Sequence, residues 1–583
     1  MSRVFLYLLI ILFNCDRMIN GVDLMKVSQI PYKRYTIEEG RQQFELFRNA
    51  AKNATNGDEL INAREYAITM MKDYSTAASL ANCRFTLNTA DEFYQAEMDY
   101  YDNNGPLFSE LFTEYADIML SSPYRSEAEK KMNPQIFRKL DYQKKSFDPC
   151  ITAESQQENT VVTEYSQFMS GLTFEFDGKE MPLSVLRGYF ENEDREVRKA
   201  AVEALGNGMK KHAETFDDIF DRLVKIRDTM AKKMGYENFV EMGYYRMGRT
   251  DYTPEMIKTF RENVKKYLVP CISELKKSIA KDLGFEKVMF FDNSIYFKGP
   301  VPKPDSDAEL IFSKAQEMYD DMSPDTGRFM KEMIENEAFD VFARPNKWGG
   351  GYCTSFANYK QPFILANFNG TTGDIDVITH EFGHAFAADN VFRYGDEELD
   401  VGGMETAECH SMSMEFLCWK YMDKFFGEDA DRYRKKHLLD ALSFIPYGVI
   451  VDEFQHIIYE HPEYTPEERK QAYLELEKEY RPYLCMDGIP YIEEGTRWQY
   501  QMHIYESPFY YIDYCLAQTV ALGFLVKSRE NYDEALKTYI DLNRKGGTKP
   551  FGQLIEEAGI ASPFEDGALE KLAGSVMKIA SEL

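Results

Sequence analysis

The chain has 583 residues, 44% of them hydrophobic, and 97 acidic against 68 basic side chains give a net charge of −29. That balance excludes a nucleic-acid-binding surface, which needs a basic footprint, and fits an acidic soluble protein. Length alone would allow about four domains, yet the interior holds no Ser/Gly-rich linker, no repeat and no long block of one charge; one large helical body is expected, divided into residues 25–200 and 201–583.

The first 24 residues stand apart. Arg3 followed by the apolar run 4–13 has the length and polarity of a signal-peptide core, and it is too short to span a bilayer as a helix. No A-x-A cleavage site follows. Either the chain starts at Met25 and is cytoplasmic, which is the expectation, or residues 1–24 export it. Nine scattered cysteines with no C-x-x-C read as reduced intracellular thiols. No stable membrane association is expected, and the sequence leaves the oligomeric state open.

Residues 37–165 read as successive helices. The aromatic and acidic run 91–102 reads as a packed helix face. Asp177-Gly178 between two β-rich runs predicts a hairpin, since this pair supplies the positive φ of a tight turn. From Glu193 one long helical pattern runs to Met234, with Leu205, Met209, His212, Phe216, Phe220 and Leu223 on its apolar stripe. Thr253-Pro254-Glu255 opens a helix that runs to about Gly284. The pattern turns to strand at 339–344, 351–358 and 362–368. Gly349-Gly350-Gly351 before Tyr352 would let another backbone approach closely. A peptide could add there as an extra strand.

His380-Glu381-Phe382-Gly383-His384 follows at once. On a helix, residues four apart share a face, so His380 and His384 can offer two imidazoles to one zinc ion. Glu381 is one step round and takes the place of a general base. A catalytic zinc wants a third protein ligand and an open position. Glu408, 24 residues beyond His384 across a polar loop, is assigned as that ligand. Glu405 and Glu415 share its helix face by spacing and are expected to orient an imidazole through its second nitrogen. Cys409 adjoins Glu408 and reads as packing, with thiolate ligation the alternative. Asp452 to His456 imitates the motif without a third ligand; His456 and His437 read as ordinary helix residues.

These residues, with Ala407-Glu408-Cys409-His410-Ser411-Met412-Ser413-Met414-Glu415-Phe416 and a segment from His503 to Tyr514, resemble the thimet-oligopeptidase/oligoendopeptidase F family of zinc peptidases, bacterial branch. The likeness is strongest over 244–563 and extends to Met25. It implies a mainly α fold with a deep cleft and a small sheet whose edge strand lies over that cleft near Gly349 to Ser355. It implies one Zn²⁺ per chain and cleavage of internal bonds in short peptides, with folded proteins excluded by size. It also implies that a histidine and tyrosines near 503–514 face the metal and the substrate. His503, Tyr511 and Tyr514 are the nearest matches, and Tyr510 beside Tyr511 keeps the register open. Two other readings remain: a peptidyl-dipeptidase, which would need a cation for the C-terminal carboxylate, and a peptide-binding protein that has lost catalysis.

Overall fold

In the computed structural model, the structure describes residues 18–19, 22–23, 25–304, 307–396 and 398–583; the apolar run 4–13 lies outside them. Helix starts follow side-chain caps. Thr36 and Glu39 form a capping box at the head of α1 (Ile37–Asn53). Asn56 and Asp91 cap α2 (Gly57–Leu87) and α3 (Glu92–Ser121), and Asn133-Pro134 opens α4 (Pro134–Ser146). These four helices bury Phe44, Phe47, Met70, Phe108, Tyr115 and Leu140 in a core of their own. The next helix, α5 (Thr152–Gly171), gives Val161 and Tyr165 to a second, larger core. Val27, Ile30, Leu80, Cys83 and Phe147 also belong to the larger core, so the N-terminal region packs into both.

The hairpin forms as β1 (Thr173–Phe176) and β2 (Lys179–Pro182), with Asp177 at φ 51° and Gly178 at φ 68°. The long helix expected over 193–234 is two helices, α6 (Arg195–Lys210) and α7 (Ala213–Lys233). His212 sits at the break, edge-on to Phe168. Leu205, Met209, Phe216, Phe220 and Leu223 are buried on both sides of it. The apolar face keeps its register through the turn, so periodicity alone cannot see the interruption.

The expected strands form one sheet: β3 (Phe339–Phe342), β4 (Tyr352–Phe356) and β5 (Gln361–Phe368). β5 is central, parallel to β3 and antiparallel to β4. Among the described residues β4 pairs with no strand other than β5, and α2 packs beside it, Thr86 Oγ1 lying 2.6 Å from the Tyr352 hydroxyl. β5 leads into α8 (Thr372–Tyr394) through a turn at Gly370, φ 78°. Asp374 holds that turn by accepting from the backbone N–H of Asn369 (2.9 Å) and Gly370 (2.7 Å).

α8 packs on α9 (Met404–Leu417), and the two touch backbone to backbone. A Cβ on Gly383 would lie 2.6 Å from Ser411 Cα and 2.8 Å from the His410 carbonyl oxygen. Phe382, next along, stacks on Tyr319 with ring centroids 3.7 Å apart. The loop 395–403 between the two helices reaches the other lobe: Leu399 enters the α1–α4 core. Glu398 pairs with Arg64 and accepts from the Tyr115 hydroxyl at 2.8 Å. Beyond α9, α10 (Ala430–Glu460) and α11 (Tyr511–Glu530) complete the surroundings of the site. Asp452 and His456 on α10 bond Arg261 (2.8 Å) and Tyr244 (3.1 Å) and are structural. No helix among the described residues is long and apolar enough to cross a membrane.

Gly383→Ala is expected to push α8 and α9 apart. The expected cost is about 1–3 kcal/mol, typical of overpacking, together with weakened metal retention. Thermal unfolding and metal content measure both; a variant unchanged in each would show that the contact is not limiting.

Candidate active site

His380 and His384 project from one face of α8, and Glu408 meets them from α9. The two Nε2 atoms each lie 3.4 Å from Glu408 Oε2. All three ligand atoms fall within 4.8 Å of one another. Donors held at ~2.0–2.1 Å around a tetrahedral ion stand about 3.4 Å apart. The donor set and its spacing therefore fit a divalent metal with one position left open. Cys409 is outside this group; burial pushes its thiol well up, and it packs in the core.

Glu415 fixes which nitrogen of His380 is free. Its Oε1 lies 2.6 Å from His380 Nδ1 and its Oε2 lies 2.7 Å from His437 Nε2. Trp419 Nε1 donates to His437 Nδ1 at 3.0 Å. An indole can only donate, so His437 carries its proton on Nε2 and gives it to Glu415. Burial would raise the Glu415 carboxyl, but His380 and His437 outweigh it and bring the pKa down to about 2. An ionised carboxylate only accepts. Burial would lower the His380 pKa, but Glu408 and Glu415 outweigh it and raise it well above its ordinary value. In the neutral imidazole a metal would need, the proton stays on Nδ1 facing Glu415 and the lone pair is on Nε2.

Glu405, expected to share this work, does not. It faces Tyr252 (3.4 Å) in the buried cluster of Arg249 and Asp513, where burial and the Asp513 charge raise its pKa. At 100° per residue, Glu415 returns to within ~20° of Glu408, whereas Glu405 is displaced by ~60°. His437, read as an ordinary helix residue, proves to be the second partner of Glu415. Nothing in its local sequence marks it. The scarcity of histidine, 8 in the chain, was the available signal.

Glu381 is 8% exposed and lies on the side of β4. A Cβ on Gly351, just before that strand, would be 4.0 Å from Glu381 Oε1. Burial raises the Glu381 pKa, with His380 and His384 pulling the other way.

The aromatic segment forms the opposite wall. The Tyr510 hydroxyl donates to Glu408 Oε1 at 2.6 Å, and Ser411 Oγ donates to Oε2 at 3.0 Å. Tyr514 lies against Tyr510, ring centroids 4.8 Å apart. Tyr511 turns from the triad toward Phe444 and Tyr447, at 5.6 and 5.7 Å. One residue on a helix is 100° of rotation, and that step separates Tyr510 from Tyr511. His503 sits among all three tyrosines, 5.0 Å from Tyr511, 5.7 Å from Tyr510 and 5.8 Å from Tyr514. Burial brings its pKa down to about 4, so its imidazole is neutral. A cavity of about 360 Å³ opens past His503, Tyr511 and Tyr514. A second of about 600 Å³ lies between the lobes, bounded by Phe112, Tyr115 and Gln135 on one side and Tyr245, Met404 and Tyr510 on the other.

A family model described as "Peptidase family M3" matches residues 189–574, and a second, "Peptidase M3 N-terminal domain", matches 27–147. The chain belongs to peptidase family M3. It is a metallopeptidase, and its likenesses lie in the bacterial oligoendopeptidase branch. It is 23% identical over 555 residues to "Oligopeptidase PepF" of Bacillus subtilis, covering 88% of this chain and 79% of that protein. It is 25% identical over 393 residues to "Oligoendopeptidase F, chromosomal" of Lactococcus lactis subsp. cremoris, covering 64% and 61%. Among solved structures, "PZ peptidase A with inhibitor 2" superposes with a TM-score of 0.93 at 42% identity, over 96% of this chain and 99% of that one. The N-terminal match ends at residue 147, just beyond Leu140 of the smaller core.

Glu415→Ala frees His380 to rotate and to change tautomer. The M3 peptidase should then bind its metal 10–100-fold more weakly, as read by competition with a chelator. Wild-type affinity would remove Glu415 from the support of the site.

Proposed function

We propose that this M3 peptidase hydrolyses internal bonds of short oligopeptides with one Zn²⁺ ion per chain, held by His380, His384 and Glu408. The observation that carries the reading is the pair of 3.4 Å separations from Glu408 to the two imidazoles, with Glu381 beside them. When bound, the ion supplies Lewis-acid polarisation of the scissile carbonyl and acidifies a water molecule.

Glu381 takes a proton from the attacking water and passes it to the leaving amine. Its recessed position and raised pKa suit a group that must hold a proton between the two steps. His503 and Tyr514 donate to the oxygen on which negative charge develops. Tyr510 takes the place left open beside Tyr511: it positions Glu408 through its hydroxyl and can turn the same donor to the substrate. Tyr511 forms the wall of the smaller cavity.

The substrate backbone pairs with the outer edge of β4, whose hydrogen bonds ignore sequence. Its ends run into the space between the lobes. A flexible peptide can thread that space and a folded domain cannot. The names of the relatives, oligopeptidase and oligoendopeptidase, agree with this size limit. A dipeptide-releasing mode finds little support, because the cations lining the larger cavity are engaged. Arg246 pairs with Glu158 at 2.9 Å, Lys139 holds the carbonyls of Glu398 and Leu399 at 3.1 Å, and Lys549 pairs with Glu557. Eight cysteines are free among the described residues, which suits a reducing, cytoplasmic setting.

Incubation with a short quenched fluorescent peptide tests the reading. Internal cleavage is expected, stopped by 1,10-phenanthroline and restored by zinc. A C-terminally amidated peptide should be cleaved as fast as the free acid; strong dependence on a free carboxylate would favour the dipeptidase mode. Glu381→Gln is expected to lower kcat by about 10²–10⁴-fold with one zinc still bound. Activity near wild type in that variant would end the assignment of the base.

A further inference from the structure

The catalytic reading needs His503 to present a donor, and a neutral imidazole has only one. Which nitrogen carries the proton is therefore decisive. Gln501 lies 2.8 Å from His503 Nδ1 through its Nε2. Its other end, Oε1, accepts from the Tyr447 hydroxyl at 2.6 Å. Held this way round, the amide offers an N–H to Nδ1, which must then be the bare nitrogen. Nε2 keeps the proton and is the nitrogen left for the site.

Something must hold the amide this way round, because a phenol can donate or accept. Tyr447 reaches Gln501 from α10, and two guanidinium groups lie against its ring. Arg497 is 3.7 Å from the ring centroid and Arg481 is 5.3 Å away. Arg497 is half-buried; its Nη1 lies 3.7 Å from Glu477 Oε1, its Nε and Nη1 make no hydrogen bond, and its guanidinium lies over the π face. Cations on that face draw electron density from the phenol. They make its O–H a better donor and its oxygen a poorer acceptor. The carbonyl end of Gln501 is thereby drawn to Tyr447 and the amino end to His503. The other groups around His503 do not compete for Nδ1. Tyr510, Tyr511 and Tyr514 meet it through their rings, and Glu408 is the charged group that acts on it.

We propose that Gln501, oriented by Tyr447 under Arg497, is a positioning residue that keeps the His503 proton on Nε2 and so keeps His503 a donor to the reacting peptide. The inference rests on the role given to His503 under Proposed function. It adds a chain of three residues that never touch the substrate.

Gln501→Glu tests it. The new carboxylate keeps the shape and the bond from Tyr447 but can only accept from Nδ1. The neutral imidazole must then move its proton to Nδ1 and present a bare Nε2. At pH 8.5 the variant should lose about 100-fold in kcat, the scale of one lost oxyanion donor, with little change in KM and full zinc content. On acidification the imidazolium regains the Nε2 proton, so the ratio of variant to wild-type kcat should rise. Tyr447→Phe, which leaves the amide free to turn, should lose less. In a His503→Ala background, Gln501→Glu should cost nothing further.

Losses that multiply in the double variant, or a kcat ratio independent of pH, would overturn the proposal. Should His503→Ala alone keep wild-type kcat, the catalytic role of His503 fails. The tautomer lock is then judged separately, by ¹⁵N resonances of histidine-labelled protein. A proton on Nε2 in wild type and on Nδ1 in Gln501→Glu supports it, and the same tautomer in both overturns it.

Discussion

The site depends on how closely two helices can approach. Gly383 stands between His380 and His384, and the α9 backbone fills the space a side chain would take. That contact brings Glu408 within 3.4 Å of both imidazoles. The remaining parts follow from it. Glu415, two turns further along α9, comes level with His380. Glu381, one step round α8, is left facing the sheet. Ser411, whose backbone meets Gly383, also turns its hydroxyl to the Glu408 carboxylate. One glycine thus sets the spacing of His380, His384 and Glu408, the place of Glu381 and the orientation of the Glu408 carboxylate together.

Two chains of donors then fix two imidazoles in opposite senses. From Trp419 through His437 and Glu415, protons are arranged so that His380 is bare at Nε2. From Tyr447 through Gln501, the proposed arrangement leaves His503 bare at Nδ1. Each chain begins at an aromatic ring whose polarity is settled, an indole that cannot accept and a phenol pressed by guanidinium charge. Each ends at an imidazole, proposed to act in one case as an electron-pair donor and in the other as a proton donor.

Much of this was legible in the sequence, where chemistry coincides with local periodicity. The pair His380 and His384, the proposed base Glu381, the proposed ligand Glu408 and its companion Glu415 sit on one helix or its immediate successor, so 3.6-residue spacing reveals their faces. The strands before them announce themselves by β-branched and glycine-rich composition. What stayed hidden crosses longer distances. His437 meets Glu415 from another helix, and no local pattern at 437 points there. The choice between Tyr510 and Tyr511 turns on where α11 begins, a matter of one residue. The break at His212 was invisible because the apolar stripe continues through it. Glu405 looked equivalent to Glu415 until the residual rotation of an α-helix was counted.

The loop that joins the two ligand-bearing helices does not close on itself. It sends Leu399 into the core of the other lobe and ties Glu398 to Arg64 and Tyr115. The first 147 residues are therefore no detachable cover over a self-sufficient catalytic unit. They hold the middle of the connection that leads into the helix carrying Glu408, through a socket for Leu399 and a cation for Glu398. Exchange of the N-terminal lobe between members of the family would carry this small joint as a hidden condition of compatibility.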